Sequence, residues 1–170
     1  CQARPVRRAF FPTPPMPAEI VIRRERPDQP EVRALLAALD GYLASLYPPE
    51  ANHILDVDAL LAPEVRFFVA REAGDGGRAV GTGAVLVRAG EPATAGTPYG
   101  EVKRMMVDPA KRGRGVGERL LRALEDTLRD SGIALALLET GRDQAEAVRL
   151  YERCGYRRHT AFGGYPDNGL

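Results

Sequence analysis

The stretch Val107-Asp108-Pro109-Ala110-Lys111-Arg112-Gly113-Arg114-Gly115-Val116-Gly117 combines residue types that rarely meet without a ligand. It leaves an apolar run, carries glycine at three alternate positions and opens into an amphipathic run. Glycines there let the backbone approach a bound group and let successive N–H groups point one way. A helix N-terminus adds partial positive charge, so the segment reads as an anion site, and Lys111, Arg112 and Arg114 suit that anion to phosphate. A solvated Arg-rich turn is the plainer alternative, but it needs no three glycines at the mouth of a helix. A Walker loop requires Gly-Lys-Ser/Thr, whereas Gly117 precedes Glu118-Arg119. The dinucleotide fingerprint needs a third glycine where Glu118 or Leu120 stands, so a nicotinamide site is disfavoured, with Glu139 the one residue that keeps it open.

The flanking elements must place this loop between a strand and a helix. Tyr99 to Val107 reads as a strand and Gly115 to Asp130 as a helix, with Val116, Leu120, Leu121, Leu124 and Leu128 on one face. Ile133 to Thr140 is nearly continuously apolar, as expected of a strand covered on both faces. Strand, crossover helix and strand make a βαβ unit with parallel strands. Upstream, Ile20-Val21-Ile22 reads as a strand and Glu31 to Leu46 as a helix stopped by Pro48-Pro49. A helical turn spans Asp58 to Leu61, and Val65 to Arg71 and Val80 to Arg88 form a hairpin around Gly74-Asp75-Gly76-Gly77. Ala89 to Pro98 is a loop. Gln144 to Cys154 is the last helix, with Gly155 as its left-handed stop, and Tyr156 to Thr160 is a further short strand. The fold class is therefore mixed α/β, in one domain over residues 18–170. Residues 1–17, rich in Pro and Arg, lack periodicity and are expected to form a flexible extension.

Composition narrows the function classes. The chain is 170 residues long with 44% apolar and 28% charged residues, which excludes wholesale disorder. No stretch approaches the ~18 apolar residues of a membrane span. The 24 basic and 23 acidic residues nearly cancel, which argues against a bulk nucleic-acid or membrane binder. Cys1 and Cys154 are too few for a disulfide framework or a four-cysteine zinc site, and Cys154 reads as a packed thiol.

Arg112, Gly115 and Gly117 give the spacing Arg-x-x-Gly-x-Gly, and with it the chain resembles the GCN5-related N-acetyltransferase (GNAT) superfamily. Glu101 to Val107 is similar to that family's fourth strand, Leu138-Glu139-Thr140-Gly141 to its fifth in one bacterial subgroup, and Leu150 to Tyr156 to its closing motif. The resemblance spans about Ile20 to Tyr165. It implies a twisted mixed sheet whose fourth and fifth strands splay to admit acetyl-CoA. Backbone groups of Met106 and Val107 would then bind the pantetheine arm and thioester carbonyl. The amides of Arg112, Gly113, Arg114, Gly115, Val116 and Gly117 would hold the pyrophosphate. The sequence stops at Asn168-Gly169-Leu170, where relatives continue into a final strand, so that strand is expected to be missing.

Acetyl transfer to an amine needs a group to take a proton, donors for the oxyanion and a partner for the departing thiolate. By resemblance Glu101 is the candidate base, with Glu139 on the adjacent strand as rival. Tyr151, which the resemblance also brings to the cofactor, is the hydroxyl near sulfur. A phenol of pKa about 10 giving its proton to a thiolate of about 8.5 is uphill by ~2 kcal/mol, so hydrogen bonding competes with true acid catalysis. Tyr47, Glu50 and His53, beside the diproline, are candidates for the acceptor side. Lys103 and Arg104 are candidates for neutralising an acceptor carboxylate, and Phe162 to Tyr165 for another wall. The expectation is an acetyl-CoA-dependent N-acetyltransferase acting on a small-molecule or amino-acid-like amine, without metal, nucleic-acid or membrane partner. It is expected in the cytoplasm as a monomer or homodimer. The alternatives are acetylation of a protein lysine or N-terminus, and a non-catalytic CoA-binding module.

Overall fold

Burial is unbroken along Ala79 to Val85 in the middle of the sheet and falls away toward its edges. Strands β1 (Ile20–Arg24), β2 (Val65–Glu72), β3 (Ala79–Arg88), β4 (Tyr99–Val107) and β5 (Leu135–Leu138) lie side by side in sequence order. The first three pairings are antiparallel and β4–β5 is parallel. This computed structural model describes residues 19–48, 54–74, 76–141 and 143–165. The N-terminal extension, Glu50, His53 and Asn168 to Leu170 lie outside the described residues.

Helices cover both faces. On one, helix α1 (Pro30–Leu46) and the short α2 (Val57–Leu60) close over Val65, Phe67, Val69 and Ala84, burying Val32, Leu36 and Leu60. On the other, helix α3 (Val116–Asp130) buries the five apolar residues read from its periodicity, each side chain stabilising the fold by about 1.5–3 kcal/mol. Helix α4 (Ala145–Arg153) adds Tyr151 to that core. Small residues set the approach of α3: a Cβ on Gly83 would stand 3.2 Å from Leu124 Cδ1, and one on Gly100 2.4 Å from Leu128.

Three expectations need correction. Ile133 to Thr140, read as a strand covered on both faces, is a strand only over Leu135–Leu138, and of these four only Leu137 is buried. Tyr156 to Thr160 forms no strand. Gly155 turns the chain at φ +91°, Tyr156 N–H closes on the Tyr151 carbonyl, and the Tyr156 ring turns in to 5.9 Å from that of Tyr151. The loop before β4 is also not wholly irregular, because Pro92–Thr94 makes a 3-10 turn closed by reciprocal Glu91 and Thr94 bonds. Among the described residues no helix is long and apolar enough to cross a membrane.

Candidate active site

The strands part where the motif begins. β4 and β5 pair only along Tyr99–Val102 and Leu135–Leu138. Beyond that β5 has ended, while β4 runs on to Val107 against β3 alone among the described residues. The register slips inside this free half. Thr82 faces Met106 and Ala84 faces Lys103, so Arg104 and Met105 together oppose Gly83. Arg104 adopts φ +56° at this bulge. Met106 is buried and Val107 half-buried, with both backbones on the strand that borders the gap.

The loop after β4 is anchored at its start and open at its end. The Asp108 carboxylate accepts from the Ala110 N–H at 2.9 Å, beginning the 3-10 turn Pro109–Lys111. This bond, with the Arg78 guanidinium at 2.9 Å, holds the Asp108 carboxyl below its ordinary range against some desolvation. Lys111 pairs with Glu72, so its charge ties the loop to the β2–β3 hairpin. Gly113 and Gly115 both adopt φ +73°, and a Cβ added to either would meet nothing within 4 Å, so that space stands open. Gly115 is the N-cap of α3, and among the described residues no side chain caps the helix there. Helix geometry leaves the N–H groups of Val116, Gly117 and Glu118 without an intrahelical acceptor. Arg114 is exposed. Arg112 instead bridges the Val107 carbonyl (3.2 Å) and Glu146 of α4 (3.0 Å). Gly117 differs from the other two, because a Cβ there would lie 2.9 Å from Leu150 Cδ2; it lets α4 close on α3. Uncapped amides, two left-handed glycines and open space fit a diphosphate.

Glu101 is fully buried beside the gap. One oxygen receives Arg88 Nε at 2.7 Å, and the other receives the Tyr165 hydroxyl and Lys103 Nζ, the latter at 2.8 Å. Burial pushes its carboxyl upward, but the Lys103 and Tyr165 hydrogen bonds, the Lys103 charge and the Arg88 bond outweigh it, so the group lies below the usual carboxylate range. The Tyr165 ring sits 5.0 Å from Lys103 Nζ, and burial and the Glu101 contact raise the Tyr165 hydroxyl well above its ordinary pKa. Glu101→Gln is expected to cost roughly 2 kcal/mol, as a charged acceptor is lost from three donors. A lowered carboxyl contributes stability above its unfolded pKa of about 4.3 and loses it as pH falls through the folded value. Chemical denaturation at several pH values should therefore show the deficit full near pH 7 and shrinking below about pH 4.

Tyr151 is buried among Val85, Val102, Leu121, Leu124 and Leu128. Desolvation first, then the Cys154 charge, raises its hydroxyl far above 10, so it keeps its proton at any working pH. Cys154 is half-buried in the same cluster and its thiol is pushed up by burial. Tyr151, Leu138, Glu139, Thr140 and Tyr165 line one cavity of about 1010 Å³ along β5. Tyr47, from the residue after α1, reaches the same end of β5: its hydroxyl accepts from Asp143 N–H at 3.2 Å, and a Cβ on Gly141 would stand 2.1 Å from it. The structure thus gathers Glu139, Tyr151 and Tyr165 around one cavity, with Glu101 in contact with Tyr165. The 112–117 loop lies outside that cavity.

Arg104 is already engaged by a carboxylate of the protein itself. Its side chain turns into the sheet's interface with α1 and pairs with Asp40, which explains why two neighbouring cations, Lys103 and Arg104, behave differently. Arg88 carries no signal in the sequence, since it is one Arg at the end of a strand. The i,i+2 spacing of Glu101 and Lys103, by contrast, does place them on one face. Among the described residues no cluster of His, Cys, Asp and Glu suits a metal ion.

The comparisons with known proteins agree with this geometry. The family model "Acetyltransferase (GNAT) family" matches residues 22–156. An IAA acetyltransferase of Azospirillum brasilense is 45% identical over 149 residues, covering 87% of this chain and 92% of the relative. A Klebsiella pneumoniae protein assigned as an acyl-CoA N-acyltransferase superposes with a TM-score of 0.69 at 34% identity, over 89% of this chain and 92% of that one. An assigned acetyltransferase of Clostridium acetobutylicum, whose crystal structure holds acetyl-CoA, shares the fold at 15% identity and a TM-score of 0.63, over 87% and 96% of the two chains. A βαβ unit whose strands part above an uncapped, glycine-led helix therefore belongs to an acyltransferase, and the chain is a member of the acetyltransferase (GNAT) family.

Proposed function

We propose that the protein transfers acetyl from acetyl-CoA to the primary amine of a small, amino-acid-like acceptor, both substrates being bound together. The observation that carries this reading is the N-terminus of α3, where Gly113 and Gly115 turn left-handed and, among the described residues, no side chain caps the amides. In this reading the amides of residues 112–117 hold the diphosphate, and the backbones of Met106 and Val107 border the arm that leads to the acetyl group. Acetyl-CoA supplies an activated acetyl thioester. The amine forms the new C–N bond as the C–S bond breaks, and its surplus proton must leave to a base.

Two carboxylates compete for that proton. Glu101 has donors on both oxygens and a lowered pKa, which makes it a poor proton acceptor and a good anchor for Lys103, Arg88 and Tyr165. Glu139 is exposed where β5 ends and lines the cavity that Tyr151 also lines. We therefore assign proton removal to Glu139, directly or through a water. The Glu101 cluster forms the acceptor wall, with Tyr47 packed over Gly141 at its far end. Lys103 and Arg88 give that wall a cationic character suited to an acceptor carrying a carboxylate. The Azospirillum relative, named as an IAA acetyltransferase, supports a small-molecule acceptor. A Tyr151 hydroxyl that keeps its proton serves the departing sulfur by hydrogen bonding. Tyr151→Phe should lower kcat by more than about tenfold while the Kd for acetyl-CoA stays within twofold, the mark of an interaction made in the transition state.

A thiol-release screen with acetyl-CoA against amino acids, polyamines, aminoglycosides and peptides tests the function. Turnover is expected with amino-acid-like amines. Turnover with peptides alone would move the reading to protein acetylation, and acetyl-CoA binding with no turnover on any amine would leave a binding module.

A further inference from the structure

Arg104 is a non-glycine residue in a left-handed conformation inside a strand, at φ +56°. Such a backbone persists only where its surroundings over-determine it. Here they do so from two sides. The Arg104 carbonyl accepts from Thr82 Oγ1 at 2.9 Å, which fixes the peptide from β3. The side chain, buried to within a few per cent, passes beneath the sheet to α1. There Nη1 and Nη2 both meet the Asp40 carboxylate, the second at 3.2 Å, and Nη2 also approaches the Leu36 carbonyl at 3.5 Å. Among the described residues its Nε is buried without a partner, and the α1 contact is what holds the guanidinium.

The location gives this pair a consequence for the reaction. Arg104 is one of the two β4 residues that oppose Gly83 at the register slip. An extra residue on one strand inverts the alternation of everything after it. It therefore decides which backbone groups of Met105, Met106 and Val107 face β3 and which face the gap beyond β5. Val102 and Met105 both pack on the α3 side, as the inverted alternation requires. Without the bulge, the backbone bordering the gap would present its groups the other way.

We infer that the Arg104–Asp40 pair is a positioning device: it locks the left-handed bulge of β4 to α1 and so sets the backbone that receives the acyl donor. This inference rests on the acetyl-CoA reading of the gap. Arg104 touches no reacting atom in this account and acts through the strand.

The test separates backbone conformation from side-chain contact. Acetyl-CoA binding is measured by calorimetry, well below each melting temperature, for the full chain and for Arg104→Ala, Arg104→Gly and Asp40→Asn. Alanine loses the lock and resists positive φ, so its Kd should rise about tenfold or more. Glycine loses the lock but adopts positive φ freely, so its Kd should stay within about threefold of the parent. Asp40→Asn, a near-isosteric change on a half-exposed helix residue, should fold and weaken binding by about three- to tenfold. A general loss of packing would affect alanine and glycine alike, and equal Kd values for the two would overturn the proposal. If Arg104→Ala does not fold, an unchanged Kd for Asp40→Asn overturns it instead. Failure of the parent protein to bind acetyl-CoA would be a different result, removing the function from which the inference starts.

Discussion

Replacing Gly115 with valine is expected to weaken acetyl-CoA binding by about 10- to 100-fold, because a β-branched residue at φ +73° costs about 1–3 kcal/mol and relaxes by moving the amides it precedes. Loss of general stability would be a trivial cause, and the same helix offers the control. Gly132, just beyond the far end of α3, has the same φ of +73° and the same open surroundings. Gly132→Val should lower the melting temperature about as much as Gly115→Val does, since the strain is alike. Its Kd for acetyl-CoA should match the parent's. Calorimetry and thermal melting on the three proteins check both halves. Equal binding losses in the two variants would show that only folding had been disturbed.

Glu139→Gln should reduce kcat/KM by about 100-fold, the scale of a lost general base, with acetyl-CoA affinity unchanged. The comparison that decides the assignment is Glu101→Gln. Glu101 sits behind three donors, so its loss should reduce kcat/KM by less than about tenfold and register mainly as instability. Steady-state kinetics on both variants, with the best amine from the screen, give the answer. A large defect for Glu101→Gln and a small one for Glu139→Gln would return the proton to Glu101.

The two carboxylates show how far a sequence can be read. Glu101 lies within β4 and Glu139 just past the end of β5, and the residue string does not say which of them takes the proton. The distinction comes from groups remote in the chain: Tyr165 and Arg88 close on Glu101 from positions 64 and 13 residues away. The elements themselves were legible because their signals are local. Helix α3 followed from a 3.6-residue period, and its buried residues are the five that the period selects. Strand β4 runs from Tyr99 to Val107 as its apolar pattern and the following glycines suggest. The strand expected at Tyr156 to Thr160 failed for the opposite reason. Gly155 directs Tyr156 onto Tyr151, a contact between residues that the segment's own pattern does not signal.

The loop's glycines and cations stand out in the sequence, but the division of labour among its residues does not. Three glycines at alternate positions look equivalent in a sequence. In space two supply left-handed turns in open surroundings, and Gly117 makes room for Leu150. The three cations also differ, with Lys111 held by Glu72 and Arg112 by Glu146 and the Val107 carbonyl. In the proposed function backbone amides therefore carry the anion site, with charge as a supporting influence. The buried Arg104–Asp40 pair was not legible, since positive φ at an arginine leaves no trace in composition or period.

The amide spectrum of the α3 N-terminus tests the central claim most directly. With ¹⁵N-labelled protein and acetyl-CoA added to saturation, the N–H resonances of Gly113, Gly115, Val116 and Gly117 should shift together and with one affinity. S-acetylpantetheine, which lacks the diphosphate, should leave those four in place while moving Met106 and Val107. Acetyl-CoA that binds and perturbs other amides while these four stay still would contradict the account.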